Sequence, residues 1–185
     1  MPKAHLPDAW EACMTLGDRW GWTTNSTYHT SGAIVRYLVR AVARNGNLLL
    51  DVGPDAQGVI DPQAVRVLRE VGAWLKVNGE AIYESRPVAP YESGDVFFTR
   101  KADGTVYAIV LSAKDGEAPP AEVSLPSALA PGNRIVTLVG GDGAPLVSKP
   151  GPGNTVMVVL PESVRGKPPC ADAWTIRIAP PAHGS

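Results

Sequence analysis

The chain has 185 residues, with 17 Lys plus Arg against 18 Asp plus Glu and a net charge of -1. That length suits one domain or two small ones and is too short for a complete (β/α)8 barrel, which needs about 250 residues. The charge balance argues against nucleic-acid binding and against a polybasic membrane anchor, while 44% hydrophobic residues allow a packed core despite 19 Gly and 18 Pro.

Met1 to Asp8 shows no charged-then-apolar leader pattern, and no apolar run is long enough to span a bilayer. The compartment stays open: cytoplasmic as the chain stands, secreted or periplasmic if a longer N-terminus carried a leader. The first expected element is a strand over Glu11–Leu16. Ser31–Arg44 follows with Ile34, Val35, Leu38, Val39 and Val42 at helical spacing and Arg36, Arg40 and Arg44 opposite. Asn45-Gly46 should end this helix, since both residues tolerate the left-handed conformation of a C-terminal cap. Asn47–Val52 is a short apolar run bounded by turn residues, as expected of a strand buried on both faces. After a loop over Ala56–Ile60, Asp61 and Pro62 start a second helix as N-cap and first helical residue. Val65, Leu68, Val71 and Leu75 give its apolar face, and Asn78-Gly79 closes it. The order β-α-β-α is the unit of a parallel α/β fold.

The pattern changes near Glu84, which sets expected domains at 1–84 and 85–185. Strands are predicted at Val96–Arg100, Thr105–Leu111, Glu122–Leu125, Arg134–Val139, Thr155–Leu160 and Trp174–Ile178. Asp103-Gly104 marks a hairpin. Val106–Leu111 is apolar on both faces, as a central strand would be. Short strands with Gly/Pro turns suggest an antiparallel β-sandwich. The fold class is therefore α/β plus all-β. Two β/α units cannot close a barrel, so their open edge and inner face call for a cover, either a partner or further chain. The Gly-rich stretches at 140–143 and 150–153 read as turns, not phosphate cradles.

Cys13 and Cys170 form no C-x-x-C pair and read as two buried free thiols. His5, His29 and His183 are scattered, so no metal site and no cofactor is expected. Asn25-Ser26-Thr27 fits a glycosylation acceptor, of consequence only in a secreted eukaryotic protein.

Three segments carry more specific information. Trp10-Glu11-Ala12-Cys13-Met14-Thr15, running on to Trp20-Gly21-Trp22, resembles W-E-x-C-M-T-x-x-x-x-W-G-Y. Asn47–Pro54 with Gly58 resembles G-N-L-L-L-N-V-G-P-x-x-x-G, and Gly72–Tyr83 resembles G-x-W-L-x-x-N-G-E-A-I-Y. In this order they resemble the α-L-fucosidases of glycoside hydrolase family 29 over Trp10–Tyr83. The remainder agrees only in pattern with that family's C-terminal β-sandwich.

The resemblance implies the last two β/α units of a (β/α)8-like catalytic barrel followed by the sandwich. It also implies that the family's nucleophile, an Asp on an earlier barrel strand, has no counterpart here. The family retains configuration, which needs two carboxyl groups about 5–5.5 Å apart. Glu11 matches a position that serves as acid/base in part of the family. Beside Trp10 and Trp20 its carboxyl would be partly shielded from water and could hold a proton; the plainer alternative is a pair with a nearby Arg. Asp51 stands where the family usually has Asn. It is either a structural hydrogen-bonding residue, the favoured view, or a second carboxylate partnering Glu11. Trp22 replaces a Tyr and Asn45 a Gly. Trp20 and Trp22 either stack on a sugar face or enter the core, and the core suits one of them. Glu80 and Tyr83 are expected to lock the last helix to the sandwich.

The implied activity is that of a short or truncated α-L-fucosidase. It would remove α-linked L-fucose from a fucosylated glycan or an aryl fucoside with retention, could transfer fucose, and would work as a homo-oligomer that buries the open edge. The alternative is a non-catalytic carbohydrate-binding or structural module.

Overall fold

The computed structural model describes residues 1–131 and 134–180; His183 lies outside them. Two strands, β1 (Trp10–Thr15) and β2 (Gly46–Asp51), pair in parallel through the intervening helix α1 (Ser31–Ala43). Helix α2 (Pro62–Asn78) runs into a 3-10 turn at Gly79–Ala81. Both helices start as their sequences dictate. Thr30 Oγ1 accepts the Ala33 N–H at 3.2 Å, and Asp61 Oδ1 accepts the Gln63 N–H at 2.7 Å ahead of Pro62. Helix α1 ends where expected, with Asn45 at φ 71°. Gly46 is needed for a different reason: a Cβ there would sit 2.4 Å from the Trp10 ring. Gly79 likewise keeps helical φ and makes room for the Tyr83 ring.

The rest is antiparallel. A five-stranded sheet runs β3 (Arg86–Ser93), β4 (Val96–Arg100), β5 (Val106–Leu111), β10 (Ala173–Ile178), β7 (Val136–Leu138). A three-stranded sheet runs β6 (Glu122–Pro126), β9 (Thr155–Val159), β8 (Val147–Pro150). A short helix α3 (Glu162–Gly166) precedes β10. Two strands were not expected from sequence, β3 and β8. Both are edge strands that carry proline, Pro87 and Pro90 in one and Pro150 in the other, and edges are where a sheet tolerates it.

Strand β5 is central, and all six of its residues are buried. Its two faces feed different cores. Val106, Ala108 and Val110 join Phe98, Val123, Leu125, Val158, Trp174 and Ile176 between the two antiparallel sheets. Tyr107, Ile109 and Leu111 join Ile34, Val35, Val39, Val67, Val71 and Trp74 beneath the helices. Polar ties reinforce that second contact. Trp74 Nε1 donates to the Ala173 carbonyl at 2.9 Å, and Thr99 Oγ1 to the Ala81 carbonyl at 2.8 Å. The Tyr107 hydroxyl donates to Glu80 at 3.2 Å, so Glu80 does lock the helix to the sheet. Burial, then the neighbouring Glu80 charge, pushes the Tyr107 hydroxyl up to about 12. Tyr83 contributes only its carbonyl, which accepts from Lys101; its side chain is exposed. Cys170 is half-buried, but Cys13 is exposed, contrary to the buried thiol expected there.

Candidate active site

The parallel pair β1–β2 is covered on one face only. Ala12, Met14, Leu48 and Leu50 are partly buried, with Met14, Leu48 and Leu50 packed into the helical core. The alternate residues Glu11, Cys13, Asn47 and Leu49 are exposed, Leu49 by 50%. The expectation of a strand buried on both sides thus fails at β2. Leu48 and Leu50 take the covered face, while Asn47, Leu49 and Asp51 take the other, which nothing among the described residues covers.

The register fixes what stands at each mouth of this open face. Glu11 lies opposite Asn47 at the N-terminal end, and Thr15 lies opposite Asp51 at the C-terminal end. Four residues of strand separate the two levels, about 13 Å at the usual rise of about 3.3 Å per residue. The structure therefore does not bring Glu11 and Asp51 together as a pair of the kind a retaining hydrolase needs, about 5–5.5 Å apart. Nor is Glu11 shielded. It is exposed, the adjacent Trp10 belongs to the opposite face of the strand, and no ion pair to an Arg forms among the described residues.

Trp20 and Trp22 belong to the other mouth. The loop after β1 is held by an isolated bridge between Gly17 and Tyr28, and the Asp18 N–H donates to the Thr27 carbonyl. It then passes against Gly53, directly beyond Asp51. A Cβ on Gly53 would lie 2.8 Å from the Trp22 nitrogen and 3.4 Å from the Trp20 carbonyl oxygen. Neither indole enters the core: Trp20 is 60% and Trp22 38% exposed. Asp51, Trp20 and Trp22 thus share one mouth, and Glu11 stands at the other. Asn25 is exposed in the turn of this loop.

The structure also reveals a polar cluster that sequence reasoning missed. At the start of α1, Arg36 pairs with Asp115 at 2.7 Å, and Asp172 lies against the same helix. A Cβ on Gly32 would fall 2.3 Å from Asp115 Oδ1 and 2.8 Å from Asp172 Cγ. Asp115 is held low by the Thr30 hydroxyl and Arg36, whereas burial pushes Asp172 up. The cluster joins residues 79 positions apart, and only the unusual small residue at Gly32 could have hinted at it. Among the described residues no group of three or more His, Cys, Asp or Glu is arranged to hold a metal.

Residues 1–80 match the family model described as Alpha-L-fucosidase. The chain is 35% identical over 185 residues to the plasma alpha-L-fucosidase of Homo sapiens, covering 96% of this chain and 39% of that protein. It is 35% identical over 177 residues to the alpha-L-fucosidase of Branchiostoma floridae, covering 91% and 38%. Among solved structures, alpha-L-fucosidase isoenzyme 1 from Paenibacillus thiaminolyticus superposes with a TM-score of 0.78 at 27% identity, over 97% of this chain and 43% of that one. The alpha-fucosidase of Thermotoga maritima in complex with fucose gives 0.77 at 23% identity, over 94% and 40%, a likeness of fold alone. The chain thus spans about two-fifths of the length of the relatives it matches.

Proposed function

We propose, on the premise that this chain corresponds to the C-terminal portion of a family 29 α-L-fucosidase, that it supplies one wall of a site hydrolysing α-linked L-fucose. In this reading residues 1–84 are the last two β/α units of a (β/α)8-like barrel. Residues 85–185 are a β-sandwich that braces them, and the substrate is a fucosylated glycan or an aryl fucoside. The observation that carries it is the open inner face of β1–β2, with two exposed tryptophans at the C-terminal ends of the strands. That is the end at which such barrels build their active sites.

Asp51, Trp20 and Trp22 then face the sugar. Glu11, the residue carried over from the family motif as acid/base, stands at the mouth that in these barrels serves stability rather than chemistry. Retaining hydrolysis, and any transfer of fucose, needs a nucleophile close to a proton donor. The open edge is where further barrel strands or a second copy would bring such groups in.

The test is hydrolysis of a chromogenic aryl α-L-fucoside by the purified chain, followed across the fractions of a sizing column. Turnover is expected to track an assembled species that covers the open face, and Glu11→Gln is expected to change it less than about twofold. A monomer that turns over substrate and loses it in Glu11→Gln would overturn this placement. The distance between Glu11 and Asp51 favours a second reading, a non-catalytic carbohydrate-binding or structural module. A folded assembly that retains fucose without cleaving fucosides would favour that reading.

A further inference from the structure

We infer that the Asp51 carboxylate is a sugar-facing acceptor, held ready for a hydroxyl of an L-fucose-like ligand at the C-terminal mouth of β1–β2. The inference rests on the functional reading above and deepens it at one residue. Among the described residues Asp51 Oδ2 is buried with no hydrogen-bond partner, and no ion pair includes Asp51. Its neighbours are already engaged. The Thr15 hydroxyl donates to the Gly17 carbonyl at 2.5 Å, and the Leu16 N–H donates to Asp51's own backbone carbonyl at 2.9 Å.

A carboxylate oxygen without a donor, shielded from water, is costly, and the cost is recovered only when a donor arrives. An aspartate turns readily about its terminal torsion, so either oxygen can be presented at the mouth. An acceptor at the same end of the strands as a loop carrying two exposed indoles suits a deoxysugar, which offers hydroxyls on one side and C–H groups on another. The family motif has an amide here, which carries one acceptor oxygen and no charge; Asp51 offers two oxygens and a stronger, charge-assisted bond.

The experiment compares thermal unfolding of the full chain and of Asp51→Asn with and without L-fucose. Without sugar, Asp51→Asn is expected to melt no lower than the wild type, because either side chain leaves a buried polar atom without a partner. With sugar, the wild-type chain is expected to gain stability, and the variant to need about tenfold more L-fucose or beyond for the same gain. An equal response in both proteins would overturn the Asp51 assignment and leave the fucosidase reading standing. No response in either would overturn both. A lower melting point for the sugar-free variant would show that the carboxylate already has a partner in the protein, and would also overturn the inference.

Discussion

Strands β5 and β2 each carry consecutive apolar residues, Val106–Leu111 in the one and Leu48–Leu50 in the other, and the folded chain treats them in opposite ways. Every residue of β5 is buried, its two faces filling two cores. In β2 only the face toward the helices is filled, while Leu49 and Asn47 stand in solvent. The contrast separates a finished half of the molecule, whose layers cover one another, from an open half with a face that nothing among the described residues covers. The two polar residues of β2, Asn47 and Asp51, fall with Leu49 on the uncovered face, whereas β5 carries no such residue on either side.

Breaking the finished half should have the largest effect. Trp174 is 1% exposed between the sheets, and its Nε1 donates to the Cys170 carbonyl at 2.9 Å. Trp174→Ala is expected to cost about 3–5 kcal/mol in urea unfolding. Trp74→Phe keeps most of the packing but leaves the buried Ala173 carbonyl with only the weak Cys170 thiol donor, and is expected to cost about 1–2 kcal/mol.

A smaller effect is expected at Asp172, on the seam between helices and sheet. Burial raises its pKa, so the folded state disfavours the ionised form at neutral pH, and that penalty disappears as pH falls through the raised folded value. Asp172→Asn also suits the left-handed backbone at this position, where φ is 67°. It should therefore stabilise the chain at pH 7, with an advantage that shrinks on acidification. Melting curves across pH check this; an advantage that grew on acidification would reverse the assignment. The neighbouring Asp115 charge adds to the upward push on Asp172, and Asp172→Asn removes that repulsion as well.

On the open face, Leu49→Ser should change unfolding free energy by less than about 0.5 kcal/mol, because no cavity forms where nothing packs. It should instead weaken whatever association covers that face, read from solution mass. A loss comparable to that of Trp74→Phe would mean that Leu49 is already buried by something.

Much of this scaffold was legible in the residues. Helix α1 follows from its apolar stripe, α2 from Asp61-Pro62, and the β4–β5 hairpin from Asp103-Gly104, where Gly104 takes φ 87°. Strand β3 was hidden by its prolines, and β8, fully exposed at a sheet edge, has no alternation to read. The candidate site was legible in part. The segments around Glu11, Trp20 and Asp51 were found, but a strand's sequence does not say at which mouth a residue ends up. That depends on register, which placed Glu11 beside Asn47 and Asp51 beside Thr15. The exposure of Cys13, and of the one tryptophan expected in the core, was missed because cover is a property of tertiary structure, not of local pattern.

The most direct test is amide hydrogen exchange on the chain held as a monomer. Two parallel strands covered on one side are marginal, so β1 and β2 should exchange far faster than β5 and β10, and should gain protection only in an assembled or sugar-bound form. Equal protection of β2 and β5 in the monomer would contradict the division into a finished and an open half.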